Sequence, residues 1–177
     1  EWEKKYEDAF ISGFSDYGKG ITQWGEASGK IFGAGYEVFI IAFFIGLYYN
    51  QEKPLVEDKA KRKIFGWAIC NWGNQEARNG RIPYPRLREY MFAALIARTD
   101  IDFIALDKGE MTARKAVDLL MDKMEGYANW GFDFIKEKME DNPDFFFKES
   151  SFLRVFLDMM NTQTSSVSND DDLPEEL

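Results

Sequence analysis

The sequence predicts an all-α protein, a single-domain orthogonal bundle of about six or seven helices around one apolar helix at 36–49. Three observations carry this reading. Residues 36–49, YEVFIIAFFIGLYY, are apolar on every side, and a helix of that kind must be wrapped by other elements. Most remaining segments repeat apolar residues at spacings of three and four, the period of an amphipathic helix. Val, Ile, Phe and Tyr also suit strands, but the run is long for a strand and no second strand-like run exists to pair with it. A chain of 177 residues can bury a core within one domain. The expected domain covers 1–161, followed by an acidic tail, 162–177.

Residues 2–17 place Trp2, Tyr6, Ala9, Phe10, Gly13, Phe14 and Tyr17 on one helical stripe, which Gly18 and Gly20 break. In 21–34, Gly25, Gly29 and Gly33 recur every four residues, as a smooth helix strip or a loop would. The apolar helix should end in Asn50-Gln-Glu-Lys-Pro54, since a proline disfavours helix in the residue before it. Residues 55–71 read as a second amphipathic helix with Val56, Ala60, Ile64, Trp67 and Ala68 inward. Cys70 falls within that apolar pattern and is expected to be a buried, inert thiol.

Asn79-Gly80 marks a turn, and Pro83 and Pro85 precede a helix with Leu87, Tyr90, Met91, Ala94, Leu95 and Arg98 on its stripe. A short helical turn and loop occupy 99–109. Thr112 is placed to cap a long helix over 112–140, in which Gly126 and Gly131 can bend the axis and after which Pro143 stops it. Ser150 or Ser151 caps a last helix ending near Asn161. The tail TQTSSVSNDDDLPEEL is too polar and acidic to fold alone.

Composition excludes several chemistries. There is no histidine, so Ser-His-Asp and Cys-His nucleophile systems cannot be built from this chain. One cysteine makes neither a disulfide framework nor a cysteine zinc site. No metal site or cofactor is expected. The longest apolar run covers about 21 Å as a helix, short of a bilayer, and no basic-then-apolar segment opens the chain. A cytoplasmic protein without a membrane span is the expectation.

The chain carries a net charge of −9, yet residues 53–88 hold nine basic residues against three acidic ones. Lys59, Lys61, Arg62, Lys63, Arg78, Arg81, Arg86 and Arg88 form a candidate polyanion surface, through which nucleic acid is a possible partner. The competing reading is a solvated face paired with acids. The acidic tail has the charge to compete for the same surface.

Other motifs carry less. GEASGKI, 25–31, fails as a phosphate loop: its glycines are four apart and Ile31 stands where a magnesium ligand is needed. Trp-Gly occurs at 24–25, 72–73 and 130–131, and the uneven spacing favours helix-end packing over duplication. Glu37 at the start of the apolar helix, with Asp100 and Asp102 in the 99–109 loop, are the alternative catalytic carboxylates. A glycosidase needs only two such acids, and tryptophans such as Trp67, Trp72 and Trp130 suit sugar stacking. For Glu37, simple stabilisation by the helix dipole is the competing explanation.

The stretch GAGYEVFIIAFFIGLYYNQEKPL, with its Ala42-x-x-x-Gly46 step and Lys53-Pro54-Leu55 ending, resembles small helical accessory proteins of bacterial DNA phosphorothioation (Dnd) defence systems. The resemblance covers 33–55 and implies an accessory role in a DNA-directed complex, with no catalytic residues to transfer. The reading that follows is a non-enzymatic helical interaction module with a protein partner or a second copy of itself. The alternatives are a small carbohydrate-active enzyme and a structural oligomer subunit.

Overall fold

The structure is a computed structural model that describes residues 1–15, 31–73, 82–148 and 150–167. It is mostly helical, with one two-stranded antiparallel sheet among the described residues. Two compact units are present, Glu1–Lys136 and Glu137–Leu177.

In the first unit the chain opens as strand β1 (Trp2–Glu3), followed by a 3₁₀ turn (Lys4–Tyr6), a π turn (Glu7–Ile11) and helix α1 (Ser12–Phe14). The expected uniform stripe over 2–17 is therefore replaced. Trp2, Tyr6, Ile11 and Phe14 are buried apolar residues of this stretch, and Ala9 is exposed. The five-residue step from Tyr6 to Ile11 is the extra residue that a π turn inserts. Gly18, Gly20, Tyr17 and the glycine repeat at 25 and 29 lie outside the described residues.

Helix α2 (Gly35–Tyr49) buries Tyr36, Val38, Phe39, Ile40, Ala42, Phe43, Ile45 and both its glycines, while the stripe of Glu37, Ile41, Phe44 and Tyr48 is half-buried to exposed. Its end is set earlier than Pro54. Asn50 is left-handed (φ 51°), its N–H donates to Leu47 O at 3.1 Å, and the Gln51 N–H donates to Gly46 O at 3.0 Å. This is a Schellman stop, which asparagine enters more readily than most residues.

Helix α5 (Ala113–Asp141) crosses α2 with almost no space between backbones. A Cβ added to Gly131 would lie 1.9 Å from Ala42 O, and one on Gly46 would lie 2.1 Å from Tyr127 O. Each helix thus offers a small residue to the other's main chain, and Gly131 allows the close approach. The Lys115 N–H donates to Thr112 Oγ1 at 3.2 Å, the cap expected for α5.

Residues 55–71 do not form the expected helix. They contain a 3₁₀ turn (Lys59–Lys61), strand β2 (Arg62–Lys63) and a second 3₁₀ turn (Ile69–Asn71). β2 pairs with β1 in the register Trp2 with Lys63 and Glu3 with Arg62. The pairing turns Phe65, not Ile64, toward the core: Phe65 stacks on Trp2 at 5.6 Å and meets Trp72 edge-on at 5.8 Å. Ile64 and Trp67 are exposed, at 71% and 47%. Cys70 is exposed too, because the helix that was to bury it is absent.

The Trp-Gly sites differ in geometry. Trp72 is buried and stacks on Tyr36 at 5.1 Å, and Gly73 takes φ +76°, a conformation glycine enters without strain. At 130–131 the glycine serves the helix crossing, and 24–25 lies outside the described residues. Helix α3 (Arg86–Arg98) buries Met91 and Leu95, and the short α4 (Phe103–Asp107) occupies the expected 99–109 turn. Tyr90 and Ile96 of α3 are exposed, so its outer side is not the polar face usual for a surface helix.

The second unit holds the last residues of α5, a 3₁₀ turn (Phe145–Phe147) and helix α6 (Ser151–Val167). Asn142 and Pro143 follow the end of α5 as expected. Ser151 Oγ donates to Lys148 O at 2.8 Å, and Phe146 lies 4.6 Å from Phe152, ring centre to ring centre. α6 continues past Asn161 to Val167, because TQTSSV contains no glycine or proline to stop it. Residues 168–177, the most acidic part of the tail, lie outside the described residues.

Candidate functional site

The three alternative carboxylates occupy different settings. Glu37 sits in the first turn of α2, and both of its oxygens are engaged. Oε2 accepts the Gly33 N–H at 2.7 Å, and Oε1 accepts the Tyr84 hydroxyl. The first contact closes the entrance to the helix much as a capping box does. Burial, and then the bond to Glu37, push the Tyr84 hydroxyl far above the ordinary tyrosine value. Tyr84 is thus a protonated donor to Glu37 at neutral pH. The pair borders a cleft of about 240 Å³ whose other walls are Phe32, Ile40, Ile41 and Leu87.

Asp102 is an N-cap: its Oδ1 accepts the Ala105 N–H at 2.8 Å at the start of α4. Asp100 instead lines a larger, polar cleft of about 520 Å³ with Glu52, Arg98, Thr99, Asp122 and Lys123. Lys123 Nζ binds Glu52 at 2.8 Å, and that bond is the first cause holding the ammonium above its ordinary value. Arg98 Nη1 donates to Asn50 Oδ1 at 3.0 Å. Sequence reasoning missed this cleft because its groups come from far-separated segments; Glu52 and Lys123 are 71 residues apart.

A charged clasp joins the N-terminus, the 53–56 segment and α5. Buried Glu3 accepts the Val56 N–H at 2.9 Å and Asn129 Nδ2 at 3.0 Å, and pairs with Lys5 at 2.8 Å. The Tyr6 hydroxyl donates to Asp133 Oδ1 at 2.6 Å, and Lys53 binds the other Asp133 oxygen. Burial would raise both carboxyls, but for Glu3 the bonds from Lys5, Val56 and Asn129 overcome it, and for Asp133 those from Lys53 and Tyr6. Both lie below their ordinary values. Tyr6 is pushed well above its own, first by burial and then by Asp133.

The candidate polyanion residues fall into two groups. Arg62 Nη1 pairs with Glu1 at 3.0 Å and its Nε donates to Val56 O at 2.5 Å; Lys63 Nζ binds Glu7 Oε1 at 2.6 Å. These two are part of the fold's charged clasp. Among the described residues Lys59 and Arg86 are exposed with no hydrogen-bond or ion-pair partner for the side chain, and the Lys61 side chain meets only Asp58, at 3.7 Å and mostly in solvent. Arg88 is half-buried, with its Nε donating to Pro85 O at 3.3 Å. Arg78 and Arg81 lie outside the described residues.

Of the tryptophans proposed for stacking, Trp72 is buried, Trp67 is exposed, and Trp130 packs against Tyr49 at 5.3 Å and Phe134 at 5.8 Å. Among the described residues no cluster of acids or cysteine could hold a metal ion, and no helix is long and apolar enough to cross a membrane. The fold is that of a mostly helical protein, and neither a protein-family model, a curated protein nor a solved structure matches the chain.

Proposed function

We propose that the protein is a non-enzymatic helical interaction module that contacts an anionic partner, single-stranded nucleic acid first, through the surface around 59–67 and 86–90. The observation that carries this reading is that exposed cations lie close in sequence to exposed aromatic rings. Lys59 and Lys61 precede Trp67, which is 47% exposed, and Arg86 precedes Tyr90, which is 65% exposed. Cations track a phosphate backbone while rings take the bases, a combination that tolerates any sequence. Arg62 and Lys63 hold the segment in place.

The roles found for Glu37 and Asp102, as caps, favour this reading over a carbohydrate-active enzyme. The resemblance at 33–55 supports an accessory place in a bacterial nucleic-acid-associated complex, and hence a cytoplasmic location. The finer fold belongs to the same proposal: an orthogonal bundle with α2 at its centre, supported by the burial of most of the apolar residues of α2. Exposed Leu153, Leu157 and Met160, one helical stripe on α6, support a protein partner beside the nucleic acid.

Fluorescence anisotropy with labelled single-stranded and duplex DNA at about 50 and 200 mM salt tests the proposal. The expected result is binding that weakens steeply with salt and favours the single strand. Absence of binding at both salts overturns it.

A further inference from the structure

The cleft of about 520 Å³ falls within the roughly 300–1,000 Å³ of small-molecule sites, and none of the candidate polyanion residues lines it. Its charges are unevenly satisfied. Lys123 and Glu52 neutralise each other at 2.8 Å. Arg98 spends one N–H on Asn50, which leaves the rest of its guanidinium fork without an acceptor in the fold. Asp100 and Asp122 make no hydrogen bond or close ion pair with any described residue, and Asp100 adds only a longer-range attraction to Lys123. Thr99 lines the same cleft, and its buried hydroxyl has no partner.

One cation and two carboxylates are therefore left facing solvent in one concave site. A polyanion is repelled by the two acids, and the described residues offer no metal-binding cluster. We propose that this cleft binds a small basic zwitterion, a free amino acid with a cationic side chain, whose carboxylate meets Arg98 and whose two cationic groups meet Asp100 and Asp122. The bidentate fit of a carboxylate to guanidinium fixes one end of the ligand. The acids then select a second cationic group at the other end.

Isothermal titration of the whole chain with L-lysine is the test, with L-norleucine lacking the side-chain cation and cadaverine lacking the carboxylate. Saturable binding of L-lysine is expected, weakened about tenfold or more in either control ligand and in Asp100→Asn/Asp122→Asn. Neither aspartate holds another residue, so this variant should melt like the wild type. Arg98→Gln should cost a similar factor, and the aspartate variant keeps the test valid if loss of the Asn50 contact unfolds it. No saturable binding of L-lysine, equal binding of cadaverine, or unchanged binding in the aspartate variant overturns the proposal.

Discussion

The crossing of α2 and α5 and the clasp around Glu3 and Asp133 join parts of the same unit by opposite means. At the crossing two backbones touch through Gly46 and Gly131, with no charge involved. At the clasp, carboxylates, lysines and a tyrosine hydroxyl join the N-terminus, the 53–56 segment and α5. The first junction depends on shape and should be indifferent to pH and salt. The second depends on ionisation and should fail in acid.

The largest effect should come from Gly131→Ala, because the added methyl would meet a carbonyl that cannot swing aside. A loss of about 3 kcal/mol or more is expected in urea denaturation followed by circular dichroism, with Gly46→Ala close behind. Full stability in both variants would mean that the helices are further apart than described. Glu3→Gln comes next, at about 2 kcal/mol, since it weakens a buried acceptor of two N–H donors. Asp133→Asn should cost about 1 kcal/mol, because its lysine partners are largely in solvent.

Acid sharpens the contrast. Glu3 and Asp133 are held below their ordinary values of 4.5 and 3.8. A carboxyl depressed in the folded state adds stability that is complete above its unfolded value and lost as pH falls through its folded one. Wild-type stability should therefore decline as pH drops below 4.5 and on below 3.8, and the gap to Asp133→Asn should close there. The gap to Gly131→Ala should stay constant across the same titration. A smaller effect, about 1 kcal/mol, is expected for Asn50→Ala, which forces alanine into a left-handed turn; Asn50→Gly should be milder.

These two junctions also mark what the sequence discloses. The apolar run at 36–49, the Thr112 cap and the stop before Pro143 are decided by residues within each element, and the helices lie where the pattern predicts. The Ala42-x-x-x-Gly46 step was visible as a pattern, but its partner on α5 was not, since nothing local ties it to Gly131. Residues 55–71 carry a helical period that loses to a strand partner at Trp2–Glu3, and the side of the segment that faces inward changes with it. The polar cleft was barely legible: Asp100 was noticed for its loop, whereas Glu52, Arg98, Asp122 and Lys123 converge only through the packing of α3 and α5. Glu37 stands out in the sequence for its place, whereas its partners Gly33 and Tyr84 are set by the fold.

The central functional claim is that the basic stretch divides into cations that hold the fold and cations that meet a partner. Salt-dependent anisotropy on single-stranded DNA with two paired variants, Lys59→Glu/Lys61→Glu and Arg62→Glu/Lys63→Glu, tests it most directly, each with its urea midpoint measured alongside. The account predicts that the first variant loses binding and keeps the wild-type midpoint, whereas the second unfolds more easily. Wild-type binding in Lys59→Glu/Lys61→Glu would contradict it.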